Sequence, residues 1–278
     1  GTAADRVAIA EATLRVIEEG GYCAPDGRLV DLRDVIEAAK AGTRLYRVEA
    51  MPSALEPTRA TTAITVTEET TCEAIVRLTA QKGGHLAALN FASARNPGGG
   101  FLGGAQAQEE ALARSSALYP CLLTQQATYY EPNRAHRSLL YLDLAIFSPG
   151  VPFIRDDAGN LLPQPALCSV ITAPAPNAGA VRQNQPHDLP RVEPVLRRRA
   201  EFVLEIAAQE KVEQLILGAW GCGVFRNDPA MVARAFGDLL RGGGRFAGVF
   251  SEVVFAIYDR TPSRATLEAF RVEFFNRK

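Results

Sequence analysis

The chain has 278 residues, 47% of them hydrophobic and 22% charged, and its formal net charge is −1. This composition is that of a folded globular protein rather than a disordered one, and the near-neutral balance argues against broad electrostatic binding of DNA, which needs a basic face. Five scattered cysteines without a CxxC pair and three distant histidines speak against a disulfide framework or a structural zinc site, and no cofactor is expected. With no apolar leader and no run long enough to span a bilayer, the expected compartment is reducing and cytoplasmic.

In chain order, Ala4 to Glu19 carries Val7, Ile9, Leu14, Val16 and Ile17 among charges and stops at Gly20-Gly21, which predicts a helix. A turn at Pro25-Asp26-Gly27 leads to a second helix, Asp31 to Ala41, ended by Gly42. Pro52 and Pro57 bracket a loop, so an N-terminal helical segment, 1–60, is expected to pack on a main domain, 61–278. There the pattern becomes strands alternating with helices. Ala63 to Thr67 reads as a strand, and Thr70 or Thr71 caps a helix through Ala80. Leu86 to Phe91 is almost wholly apolar, as a central strand covered on both faces should be. A glycine-rich loop, a helix from Gln108 to Leu118, and strands at Leu139–Phe147 and Cys168–Thr172 follow. A helix is expected from Pro190 to Gln209, with Arg197-Arg198-Arg199 on its solvated face. Gln214 to Gly218 is a strand, Asp228 caps a helix to Leu240, Val253 to Tyr258 is the last strand, and Ser263 to Phe274 the last helix. This alternation implies a three-layer α/β/α fold.

Ligands of such sheets bind at the carboxyl ends of strands. Two strand ends open into glycine loops here: Asn90-Phe91 into Asn96-Pro97-Gly98-Gly99-Gly100, and Leu217-Gly218 into Gly221-Cys222-Gly223. Neither is a GxGxxG or Walker sequence, so a nicotinamide dehydrogenase or P-loop enzyme is not indicated. Together they suit the two phosphates of a pyrophosphate. Glu109-Glu110 begins the next helix, a common place for acids because of the helix dipole. Its position close beyond the triple glycine, with seven residues between Gly100 and Gln108, gives it a second meaning. Two adjacent carboxyls facing one cleft repel, so one should keep its proton near neutral pH, which suits cleavage of a glycosidic bond.

The run Gly98-Gly99-Gly100, seven residues, then Gln108-Glu109-Glu110 resembles the signature of poly(ADP-ribose) glycohydrolases. Asn90-Phe91-Ala92-Ser93, the helix from Ala111 to Tyr119, and Gly218 to Phe225 extend the resemblance, which runs from about Thr61 to the C-terminus. The short N-terminal segment matches the microbial, bacterial branch. The resemblance implies a macrodomain-like mixed sheet and a hydrolase that releases ADP-ribose from poly(ADP-ribose), in the setting of the DNA damage response. It implies Glu110 as general acid and base, and Glu109 as a ribose contact that raises its neighbour's pKa. Gln108 is expected to orient the pair and Asn96 to touch the terminal ribose. Gly98, Gly99 and Gly100, with Gly221, Cys222, Gly223 and Val224, are expected around the diphosphate. Phe225 would close over it, and Tyr258 is the candidate for adenine. Partners implied are poly(ADP-ribose), ADP-ribose and poly-ADP-ribosylated proteins, with no direct DNA or membrane binding. A hydrolase of mono-ADP-ribosylated protein and a non-catalytic ADP-ribose reader stay open as alternatives. Cys222 lacks a histidine placed to activate it as a nucleophile.

Overall fold

The computed structural model describes residues 1–52, 55–81 and 83–276. Helix α1 (Ala3–Glu19) starts at a Thr2–Asp5 capping box and is closed by Gly20. The Pro25-Asp26-Gly27 turn joins two short strands, β1 (Gly21–Cys23) and β2 (Leu29–Asp31), into an antiparallel hairpin. Helix α2 (Arg33–Gly42) and strand β3 (Arg44–Arg47) follow. After β4 (Ala63–Thr67), a reciprocal Thr70–Glu73 capping box starts α3 (Thr71–Ala80). Then come β5 (Leu86–Phe91), α4 (Gln108–Ser115), α5 (Leu118–Leu123) and α6 (Glu131–Ala135). The long strands β6 (Leu144–Arg155) and β7 (Leu161–Ala173) lead to α7 (Ala178–Asn184) and α8 (Val192–Gln209). The chain closes with β8 (Gln214–Leu217), α9 (Pro229–Leu240), β9 (Glu252–Ala256) and α10 (Ala265–Arg271).

Seven strands form one mixed sheet in the order β3-β6-β7-β5-β8-β9-β4. Strands β7, β5, β8, β9 and β4 run parallel, and β6 runs opposite to both its neighbours. Alternate residues divide the core into two layers. Ala87, Leu89, Leu215, Leu217 and Phe255 pack against α8 and α9. Ala88, Ile216 and Val254 pack with Ile75, Leu112 and Leu122 of α3, α4 and α5 on the other face. This is the expected α/β/α sandwich.

The stretch before residue 60 contributes more than helices. Its β3 is the edge strand paired with β6 (Arg44↔Phe147), and α1 lies against the glycine loop and α4. Among the described residues no helix is long and apolar enough to cross a membrane.

Two expectations are corrected. The strand expected at Leu139–Phe147 begins at Leu144 and continues to Arg155, because a register shift at Ser148/Val151 carries Pro149-Gly150 within it. Arg199 is not on a solvated face: it is 0% exposed. Its guanidinium donates to the carbonyls of Leu140 (2.8 Å), Tyr141 (3.0 Å) and Pro174 (3.1 Å) and pairs with Asp143 (3.1 Å). Residues 139–143 are a turn rather than a strand, and its carbonyls need the forked donor set that arginine provides. Smaller differences lie at helix ends: α4 stops at Ser115, α8 begins at Val192, and α10 spans Ala265–Arg271.

Candidate active site

Asn90 is the one polar residue in β5, and the pleat points it, like Leu86 and Ala88, toward α4. A buried amide needs partners. Its Nδ2 donates to Glu109 Oε2 (2.9 Å) and to Oγ1 of Thr172 (3.1 Å), the residue opposite it on β7. The Ser93 N–H donates to the other Glu109 oxygen at 2.8 Å. Gln108 fixes the helix start. Its Oε1 accepts from the Phe91 N–H (2.8 Å), and its Nε2 donates to the Leu89 carbonyl (2.8 Å) and Thr71 Oγ1 (3.1 Å). These bonds continue the edge of β5 beyond Ala88↔Ile216, where pairing with β8 ends. Gln108 thus ties the first turn of α4 to the end of β5.

The triple glycine folds over the carboxyls. Gly99 has φ +60°, and a Cβ there would lie 1.9 Å from Glu110 Oε2 and 3.2 Å from Glu109 Oε1, so only glycine leaves room for both. The Gly100 N–H donates to Glu110 Oε2 at 3.0 Å. Glu110 Oε1 has no protein hydrogen bond among the described residues. Gly98 packs on the ring of Phe101, which with Ala10 and Ala113 forms a small core under the loop. Helix α1 also anchors the loop directly, through Arg6 Nε to the Gly104 carbonyl at 2.7 Å. Asn96 is exposed; its N–H bonds Ser93 Oγ (3.0 Å) and its carbonyl accepts from the Gly99 N–H (2.9 Å).

Glu109 is 2% exposed and Glu110 9%. Burial pushes the Glu109 carboxyl up to about 8; the Ser93 N–H and Asn90 amide oppose this, and the Glu110 charge adds to it. The upward direction prevails because almost no solvent reaches the group.

The second loop is adjacent because β8 pairs with β5. Gly221 has φ +70°, and a Cβ there would meet Ala175 and Asn227 at 2.6 Å. Buried Asn227 ties this loop to the end of β7: its Nδ2 donates to the carbonyls of Gly221 (2.9 Å) and Pro176 (2.8 Å). Gly223 faces open space and Val224 is 83% exposed. Phe225 is half-buried, its ring 5.9 Å from that of Tyr141. Burial pushes the Cys222 thiol up to about 12, which removes it as a nucleophile at neutral pH. Trp220 is fully buried and donates to the Ala173 carbonyl at 3.1 Å. One strand further on, Tyr258 is exposed beyond the end of β9, with the Arg260 guanidinium 4.8 Å from its ring centre. It borders a cleft of about 250 Å³ with Glu68, Asp259, Arg260 and Arg264.

Asn90, Ser93, Tyr141 and Asn227 had no expected role from sequence, and Arg199 was expected only on a solvated face. Only Asn90 carries a signal there, as an amide inside an apolar strand.

A three-layer α/β/α domain with paired buried carboxyls at the end of its central strand, beside a glycine-rich loop, defines a hydrolase of the macrodomain-like class. The family model described as "Microbial-type PARG, catalytic domain" matches residues 10–156. The chain belongs to the microbial-type poly(ADP-ribose) glycohydrolases, and it is a glycoside hydrolase. The poly(ADP-ribose) glycohydrolase of Thermomonospora curvata is 47% identical, with a TM-score of 0.91 over 97% of this chain and 99% of that one. The same protein bound to the inhibitor ADP-HPD is 46% identical over the same shares, with a TM-score of 0.89. The Deinococcus radiodurans enzyme in complex with ADP-ribose is 53% identical, with a TM-score of 0.81 over 87% of this chain and 97% of that one. No curated protein matches the chain in sequence.

Proposed function

We propose that the chain releases ADP-ribose from poly(ADP-ribose) with Glu110 as its general acid and base. The observation that carries this reading is the setting of Glu110. One of its oxygens is held by the Gly100 N–H, and the other has no hydrogen-bond partner among the described residues, at the carboxyl end of the central strand. In the proposed step the Glu110 carboxyl gives its proton to the 2′-oxygen of the departing unit as the C1″–O bond breaks, leaving an oxocarbenium-like ribose. The resulting carboxylate takes a proton from water, and the hydroxide adds to C1″. That regenerates the acid and yields ADP-ribose. Glu109, held by Asn90 and Ser93, is proposed to hydrogen-bond the reacting ribose.

Asn96 is assigned to the terminal ribose. Gly98–Gly100 and Gly221–Val224 are assigned to the diphosphate, Phe225 to its cover, and Tyr258 to adenine. The sheet order supports this layout, because β5, β8 and β9 are consecutive. The proposed partners are poly(ADP-ribose), ADP-ribose and proteins carrying the polymer, in the cytoplasm and in the response to DNA damage.

Glu110→Gln keeps the size of the side chain and its acceptor for Gly100 but removes the acid. Release of ADP-ribose from polymer is expected to fall about 10²–10⁴-fold. ADP-ribose affinity, measured by calorimetry, should stay within about threefold. Unchanged turnover in the variant would overturn the assignment, and a wild-type chain that binds but never cleaves would make it a reader.

A further inference from the structure

The chain carries one negative charge net, yet five exposed arginines, Arg95, Arg134, Arg137, Arg182 and Arg226, follow one another along the mouth of the site. Contacts join them in sequence. Arg134 Nε donates to the Arg95 carbonyl at 2.8 Å, just before Asn96. The Arg137 carbonyl accepts from Gln185 Nε2 at 2.8 Å, at the end of α7. Arg182 lies one turn before Gln185 and one turn after Gly179 on the same side of that helix. A Cβ at Gly179 would sit 2.9 Å from Cγ of Arg226, which follows Phe225. No ion pair holds any of the five among the described residues. The acids nearest them in the chain are Asp228, exposed and capping α9 through the Ala230 N–H (3.2 Å), Glu131, exposed on α6, Asp143, which pairs with Arg198 and Arg199, and Asp188, which faces Arg191 and His187.

The position of this rim is what gives it meaning. Tyr258 lies at the end of β9, the diphosphate loop at β8 and the glutamates at β5. Arg95, Arg134 and Arg137 follow β5 and Arg182 lies on α7, which follows β7, while Arg226 stands where the β8 loop meets Gly179 of α7; from Arg226 the other four continue on the side of the glutamates away from the adenine end. A polymer whose terminal unit is bound this way leaves through C1″, and its next diphosphate emerges over the arginines.

We propose that this rim binds the diphosphate of the polymer unit next to the one being removed, and so favours long chains over small ADP-ribose derivatives. The inference rests on the activity proposed above. Guanidiniums without an acid partner suit it because each keeps N–H groups for a phosphate, Arg134 included although its Nε is spent on the Arg95 carbonyl, and binding of this kind weakens steeply with salt.

The test is the double charge reversal Arg137→Glu/Arg182→Glu, at two exposed side chains outside the catalytic loops. It is assayed against long poly(ADP-ribose) and against an ADP-ribose carrying a small fluorogenic phenol at C1″, each over a range of salt. The expected result is a fall of about tenfold in kcat/KM on polymer at low salt, with a flatter salt dependence, and no change on the small substrate. Equal kcat/KM and equal salt slopes on polymer would overturn the proposal, as would an equal loss on both substrates. A wild-type enzyme inactive on both substrates would instead remove the activity on which the proposal rests.

Discussion

Glu109 carries a carboxyl almost sealed from water, between an N–H from Ser93 and an amide from Asn90. Its ordinary value is 4.5, and burial in the fold pushes it up to about 8. Between those limits the unfolded chain gives up this proton while the folded chain keeps it. The contribution to stability is therefore fully present below about 4.5 and is lost as pH rises through about 8. Glu109→Gln removes the titration. Gln can still accept from Ser93, and the Asn90 amide can turn its unpartnered Oδ1 toward the new NH₂. Denaturant unfolding from about pH 5 to about pH 8 should show wild-type stability declining relative to the variant, by on the order of a few kcal/mol. Parallel pH curves would contradict a Glu109 that stays neutral in the fold.

Among the elements, α1 supports the site from behind, and Thr13 is where that support concentrates. Fully buried, Thr13 donates through Oγ1 to the Arg114 carbonyl of α4 at 2.6 Å and accepts from Arg155 Nε of β6 at 2.8 Å. Thr13→Val keeps the shape but leaves a buried guanidinium N–H and a carbonyl without partners. Thermal unfolding should report a loss of about 1–3 kcal/mol, and an unchanged Tm would contradict the role given to this contact. This role was not legible in the sequence, where Thr13 is one more polar position on an amphipathic helix. What was legible is local in origin. The apolar run Leu86–Phe91 announces a central strand, and Thr70 and Asp228 with Pro229 announce helix starts, because each signal needs only its own neighbours. Strand β3 was missed because four residues with an arginine at each end show too little alternation, and pairing with β6 makes them a strand. Arg199 was misread because its partners lie 25 to 59 residues away. The glutamates were legible only through their spacing from the glycines and the family resemblance. The hydrogen bonds that distinguish Glu109 from Glu110 come from Asn90, Ser93 and Gly100, and those depend on the folded loop.

Over the whole molecule, the sheet order β7-β5-β8-β9 sets out a line of sites at one end of the domain. It runs from the arginine rim past the glutamates and the Gly221 loop to Tyr258. Four of the five parallel strands supply the carboxyl ends that form this line, and Asn227 and Arg199 tie neighbouring loops together across it. The most direct measurement is a crystal structure of this chain with ADP-ribose bound. The account predicts the C1″ hydroxyl within about 3 Å of Glu110, the diphosphate between Gly98–Gly100 and Gly221–Val224, and adenine against Tyr258. A distal ribose turned away from Glu110, with C1″ out of hydrogen-bond reach of that carboxyl, would contradict it.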